Sequence, residues 1–309
     1  MKVLITGGAG YVGTELAYRL AARTDIEQVV VYDNLARGNY NLFIGHRKFP
    51  ENKVTFVKGD LLDTRRLRSC LQGIDVVYHL AAKVTKPYSD HNPHLMEQVN
   101  HWGTAEVVYA VEQSDVSRLI YVSSSSVYGT SEQEMHTGVP PHPATYYGIS
   151  KLRGEEHVER LQQKKHALIV RTANVYGYSK SMRFDARINR LMFQAAAGEK
   201  LTVSGSGSQV RSYIHIDATT DCLEALLDAD LPSDVYDLVT RNLSIQEILE
   251  GVTTVFPETE LLFINQHIEP WQLRVRPDER LVAFHSRAGH SFLDEIQEFK
   301  KQFTLNFHD

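Results

Sequence analysis

The chain has 309 residues, 42% of them hydrophobic and 23% charged, an ordinary globular composition long enough for two lobes. A net charge of −5 leaves no basic face for nucleic acid and no acidic tail. Cys70 and Cys222 stand too far apart in sequence for a CxxC pair, which excludes a disulfide framework or zinc cluster and points to a reducing compartment.

MKVLIT enters a strand at residues 2–6 with no apolar signal region ahead of it. No later apolar run approaches the ~20 residues of a membrane helix, so a cytoplasmic location without a membrane partner is expected. GGAGYVG at 7–13 places Gly7, Gly10 and Gly13 three residues apart, between that strand and a helix predicted over 13–23. In this context Gly7 permits a tight turn, Gly10 lets the backbone approach a pyrophosphate, and Gly13 allows close helix–strand contact. The helix N-terminus offers N–H groups and a positive dipole end to phosphates. The next strand, QVVVYDN at 28–34, carries Asp33 twenty residues beyond Gly13. A carboxylate there accepts both ribose hydroxyls of NAD and repels the 2′-phosphate of NADP; Arg37 and Arg47 stand near enough to weaken that preference. VTFVKGD at 54–60 ends on Asp60, placed to meet the adenine amino group. Ordinary turn chemistry at a strand end is the competing reading for both aspartates.

DVVYHLAA (75–82), a helix over 95–113, RLIYVSS (118–124), a helix over 146–164 and ALIVRT (167–172) continue the alternation. The strands are nearly continuous in Val, Ile and Leu, which suits strands covered on both faces. The alternation implies an α/β fold, a doubly wound parallel (Rossmann) sheet with right-handed crossovers. Within it, SSSSVYG at 123–129 ends a strand on four serines that a core cannot all pack; they are turn chemistry or a hydroxyl held out to a ligand. YYGISK at 146–151 sets Tyr147 and Lys151 four apart, on one face of a helix. A phenol with its ordinary pKa of ~10 is a poor base at neutral pH, and a neighbouring ammonium favours the phenolate. By itself the spacing is common, and a helix turn with a solvated lysine explains it as well.

After residue 175 the rhythm loosens, through a helix near 184–198, LTVSGSGS (201–208), VRSYIHI (210–216) and a helix at 217–229. VYDLVT (235–240) and helices at 244–256 and 291–303 follow. The expected division is a dinucleotide-binding domain over 1–172, with 209–242 returning to it, and a smaller C-terminal α/β substrate-binding lobe from 173–208 and 243–309. Among fourteen histidines, His91 and His94 sit in a loop with a proline between them and no HExxH helix occurs, so no metal is expected.

Taken in order, TGGAGYVG (6–13), YDN (32–34), GDLLD (59–63), HLAA (79–82), VNHWGT (99–104), SSSSVYG (123–129), YYGISK (146–151), RTANVYG (171–177) and RSYIHID (211–217) resemble the extended short-chain dehydrogenases/reductases. The likeness is to their nucleotide-sugar epimerase/dehydratase branch and covers residues 1–256, with the C-terminus matching only loosely. It implies an NAD cofactor against Gly7, Gly10, Tyr11, Val12, Gly13, Asp33, Asn34, Asp60, Leu61, Leu80, Ala81, Ala82, Lys83, Asn100, Tyr147 and Lys151. It further implies that a hydride passes from a sugar carbon to NAD while Tyr147 takes the hydroxyl proton. Lys151 would hold the nicotinamide ribose, and Ser124 would hydrogen-bond the reacting oxygen. Sugar 4,6-dehydratases of the family carry Asp-Glu where this chain has Ser125 and Ser126, and sugar-acid decarboxylases keep a Glu at the second position. Hydroxyls cannot replace that acid pair in an elimination.

The implied substrate contacts are Lys83, Ser124, Ser125, Tyr147, Asn174, Arg211 and Arg276, with Val84 beside Lys83 in the cleft. The two arginines would grip a diphosphate bidentately. The family's Arg-Pro-Gly-Asp is here Arg276-Pro277-Asp278-Glu279, and a surface ion pair explains Arg276 equally well; a solvated loop lysine likewise explains Lys83. The implied protein is a homodimer, paired through the helices at 95–113 and 146–164. The implied activity is redox-neutral epimerisation at carbon 4 of a UDP- or dTDP-type nucleoside-diphosphate sugar. The alternatives are a keto-sugar reductase or dehydrogenase using the same residues, a 4,6-dehydratase, and a non-catalytic NAD-binding regulator, which would not need Ser124, Tyr147 and Lys151.

Overall fold

Consecutive residues of the early strands are apolar because each covers a different layer. The computed structural model describes residues 1–84, 92–264, 271–285, 287 and 289–304. Its main sheet contains β1 (Lys2–Thr6), β2 (Gln28–Asp33), β3 (Val54–Lys58), β4 (Val76–His79), β5 (Arg118–Ser124), β6 (His166–Thr172) and β7 (Val235–Leu238). All pairs are parallel, in the spatial order β7-β6-β5-β4-β1-β2-β3. Val3, Ile5, Val29, Val31, Ile120 and Leu168 pack into one core, and Leu4, Val30, Val77, Leu119 and Ile169 into the core on the opposite face. The strand period of two divides them, and neither face is left to water.

The strand order reverses between β1 and β4, and in such sheets the crevice beyond the carboxyl ends at that point takes the ligand. Helix α1 (Tyr11–Ala22) follows β1, burying Leu16, Ala17 and Leu20. The helix predicted over 95–113 is interrupted: Pro93–Met96 leads into a π-helical segment, Glu97–Trp102, before α2 (Gly103–Glu112). Helix α3 (Tyr146–Gln162) starts where Thr145 Oγ1 accepts from Gly148 N at 3.0 Å, a side-chain cap.

A second body is built on a three-stranded sheet. Asn174–Tyr176 runs parallel to Val210–His215, which is antiparallel to Arg241–Ser244. Helix α4 (Arg187–Ala196) and helix Ile245–Val255 cover a third core around Tyr176, Ile188, Met192, Ile248 and Ile296. Of the segment 209–242, β7 joins the main sheet and helix Ile216–Ala225 packs on its core, whereas Val210–His215 belongs to the small sheet. His94 lies in the Pro93–Met96 turn, and His91 lies outside the described residues. Among the described residues, no helix is long and apolar enough to cross a membrane, and no three His, Cys, Asp or Glu side chains gather as a metal would require.

Candidate active site

The glycine turn after β1 closes only without side chains. Gly7 has φ 71°, and a Cβ on it would fall 2.6 Å from Ala81 N; a Cβ on Gly13 would fall 2.4 Å from Gly7 O. Gly10 caps α1 without a side-chain bond, leaving first-turn N–H groups facing the cleft with Val12 and Gly13. Tyr11 lines the cleft as well, although its phenol is buried and donates to Gly177 O. Asp33 accepts from Ala9 N (3.1 Å) and Leu35 N (2.8 Å); burial pushes its carboxyl up, and these bonds oppose the shift. Asp60 accepts from Asn34 Nδ2 at 2.8 Å and from Leu62 N at 3.0 Å. Leu61, Leu80, Ala81 and Ala82 complete this wall of a cleft of about 920 Å³. Asn100 stands behind it, fully buried in the π-helical segment. Its Oδ1 accepts from Lys83 N (2.7 Å) and its Nδ2 donates to Lys83 O (2.9 Å) and Ser150 Oγ (3.0 Å). The cradle of glycine backbone and two carboxylates at strand ends fits a dinucleotide.

Across the cleft, Ser124, Tyr147 and Lys151 line one wall. Ser124 ends β5, and its Oγ accepts from Ser126 N at 3.2 Å while lying 3.1 Å from Ser126 Oγ. Helix α3 comes so close that a Cβ on Gly148 would fall 2.5 Å from Ser126 O. Tyr147 lies near Ser124; burial pushes the phenol up, and nearby Arg183 and then Ser124 oppose it. Lys151 is 1% exposed, donates to Val122 O at 2.7 Å, and lies 4.1 Å from the Tyr121 ring centroid. Burial pushes its ammonium down to about 7, with Glu155 working against the shift. The four serines now separate. Ser123 donates to the buried Glu155, which pairs with Arg171; Ser124 faces Tyr147; Ser125 and Ser126 line the cleft.

The far wall is cationic. Arg211 and Asn174, from the small sheet, line it with Arg187 and Arg190 of α4. Asn174 Nδ2 donates to Ser212 O at 3.0 Å. Burial and then Arg187 push the Arg211 guanidinium down, and, among the described residues, Arg190 Nε is buried without a hydrogen-bond partner. Lys83 is exposed at the rim with Val84.

The profile of the NAD dependent epimerase/dehydratase family matches residues 3–238. The chain belongs to this family. It is 29% identical over 239 residues to the uncharacterized UDP-glucose epimerase YtcB of Bacillus subtilis, covering 73% of this chain and 71% of that protein. It is 26% identical over 269 residues to the human dTDP-D-glucose 4,6-dehydratase, covering 84% and 75%. Among solved structures, a Bacillus cereus UDP-glucuronic acid 4-epimerase mutant in complex with UDP-4-deoxy-4-fluoro-glucuronic acid and NAD superposes with a TM-score of 0.85. The two share 25% identity over 97% of this chain and 98% of that one.

In this family member the sequence placed one arginine elsewhere. Arg276 was expected at the diphosphate, but its Nε donates to Glu134 Oε2 at 2.8 Å, both side chains are about half exposed, and it lies outside the cleft lining. Arg183, Arg187 and Arg190 were not anticipated. Their signal was present in RFDARINR, where Arg187 and Arg190 stand three apart, a spacing that shares a helix face.

Proposed function

We propose that this protein is an NAD-dependent UDP-sugar 4-epimerase. One observation carries the reading: Ser124, Tyr147 and Lys151 converge beside a dinucleotide cradle, while Ser125 and Ser126 occupy the positions an elimination would need to fill with acids. Bound NAD would supply a hydride acceptor and then a donor. The residues do the rest. Ser124 donates to the oxygen at carbon 4 while Tyr147 takes its proton, and Lys151 offsets the phenolate charge. Arg211, Arg187 and Arg190 hold the diphosphate, with Asn174 alongside. Inversion would follow when hydride returns to the opposite face of the keto carbon and Tyr147 gives its proton back to the oxygen. The base and carbon are supported by relatives described as acting on UDP-sugars at carbon 4.

We further place the protein in the cytoplasm, which its two free cysteines support, and as a dimer paired through α2 and α3. That face leaves Trp102 57% and Tyr109 38% exposed beside a stacked His101–His157 pair. The test is incubation of purified protein with UDP-, dTDP-, GDP- and CDP-sugars and no added cofactor. Accumulation of a carbon-4 epimer is expected. Conversion that consumes one NAD(P)H per sugar makes it a reductase, and loss of water makes it a dehydratase.

A further inference from the structure

Two loops from different bodies meet across the front of α1. The loop after β2 supplies Arg37 and Asn41; the loop before α4 supplies Lys180, Arg183 and Asp185. At the rear the join is fixed. Asn41 Nδ2 donates to Lys180 O (2.7 Å) between the loops, and α1 anchors the second loop, where Ser179 Oγ donates to Glu15 Oε1 (3.0 Å) and Thr14 Oγ1 to Ser181 Oγ (2.8 Å). At the cleft the join, among the described residues, is one ion pair, Arg37 to Asp185 at 3.6 Å, with the side chains 44% and 23% exposed. Asp185 is already aimed, because Arg183 holds it bidentately at 2.9 and 3.1 Å. Arg37 follows the cradle residues Asp33 and Asn34, and it lines the same cleft as Asp185.

We propose that Asp185 closes a strap over the dinucleotide and keeps it bound between the two hydride transfers. This rests on the epimerase reading, because only a redox-neutral reaction needs one cofactor molecule to take and return the same hydride; escape in between would strand a keto sugar and reduced cofactor. The rear contacts hold the loops together while one partly exposed ion pair opens to admit the ligand.

The test loads the protein with NADH, displaces it with excess NAD and follows the loss of bound NADH fluorescence. Asp185→Asn and Arg37→Ala should each speed release about fivefold, the most that one partly exposed ion pair supplies. Because both remove the same contact, the double variant should be no faster than either single one. Raising salt from about 0.05 to 0.5 M should speed release from the parent and leave Asp185→Asn unmoved. Unchanged release in Asp185→Asn, or rates that multiply in the double variant, overturns the strap. If the strap fails while nucleotide sugar is still epimerised, the function stands without it. If release responds as expected in a protein that epimerises no nucleotide sugar, the strap stands and the reaction falls.

Discussion

Lys151 and Tyr147 are each pushed by burial toward the form least useful for proton abstraction, the lysine down to about 7 and the phenol upward. A phenolate beside an ammonium is less expensive to bury than either ion alone, so the proposed mechanism needs Lys151 charged when Tyr147 gives up its proton. Removing the phenol hydroxyl should therefore abolish the base without disturbing the cradle. Tyr147→Phe is expected to lower kcat by about 10²- to 10⁴-fold while NADH fluorescence titrations show unchanged binding; parental turnover would remove Tyr147 from the mechanism. Lys151 also leaves a mark on stability. Its folded value lies near 7 against 10.5 in the open chain, so between those values the unfolded chain holds a proton that the folded one lacks. Stability of the ligand-free protein then rises with pH across that window. Lys151→Met should flatten the rise in melting temperature from pH 7 toward 10, and an unchanged slope would show that Lys151 stays charged.

At the scale of elements, β1, the glycine turn and α1 form the piece that sequence described best, because its constraints are local. A Cβ on Gly13 would fall 2.4 Å from Gly7 O and 2.6 Å from Gly8 Cα, both backbone atoms that cannot rotate away. Gly13→Ala should push α1 off β1, lowering stability by about 1–3 kcal/mol, the usual cost of overpacking, and weakening NADH binding. A variant that melts and binds like the parent would mean the turn is more pliable than its geometry implies. The four-residue spacing of Tyr147 and Lys151 was legible for the same reason, being set within one helix. The arginines of the cleft were legible only in part: Arg211 was expected there and lines it, whereas Arg183, Arg187 and Arg190 were missed. Arg276 matched a motif by sequence position, yet Glu134 captures it, and that partner lies 142 residues away. The π-helical segment was hidden as well. Val99 and Val107 fit an ordinary helical pattern, and the extra residue in the turn shows only where Asn100 clamps both backbone groups of Lys83.

The whole molecule carries a seven-stranded parallel sheet and a separate three-stranded one. Sequence blurred their boundary because Val210–His215 has the composition of a main-sheet strand but pairs with Asn174–Tyr176 and Arg241–Ser244. Each body buries a histidine. His79 in β4 lies 2.7 Å from Thr6 Oγ1 through Nδ1 and 3.0 Å from Thr104 Oγ1 through Nε2. Thr104 spends its own proton on Asn100 O at 2.6 Å, so Nε2 must donate to Thr104 and Nδ1 must accept from Thr6. That is the neutral ring, and burial followed by Lys151 pushes its pKa down to about 3. His215 in the small sheet is pushed down to about 4 by burial and then Arg287. Between about pH 4 and 6.5 both rings gain protons only on unfolding, so stability falls as the solution is acidified. Asp237 acts in reverse: buried against Tyr128 at 2.9 Å and pushed up to about 7, it keeps its proton in the fold. Two protons gained on unfolding less one released leave a net of one among these three groups, or about 1.4 kcal/mol per pH unit. His79→Gln removes one of the two gains and should bring their joint contribution close to zero. Urea unfolding of parent and variant at several pH values across that window measures the difference. Equal slopes would mean that His79 titrates alike in the folded and unfolded chain, and that its two threonines do not hold it neutral.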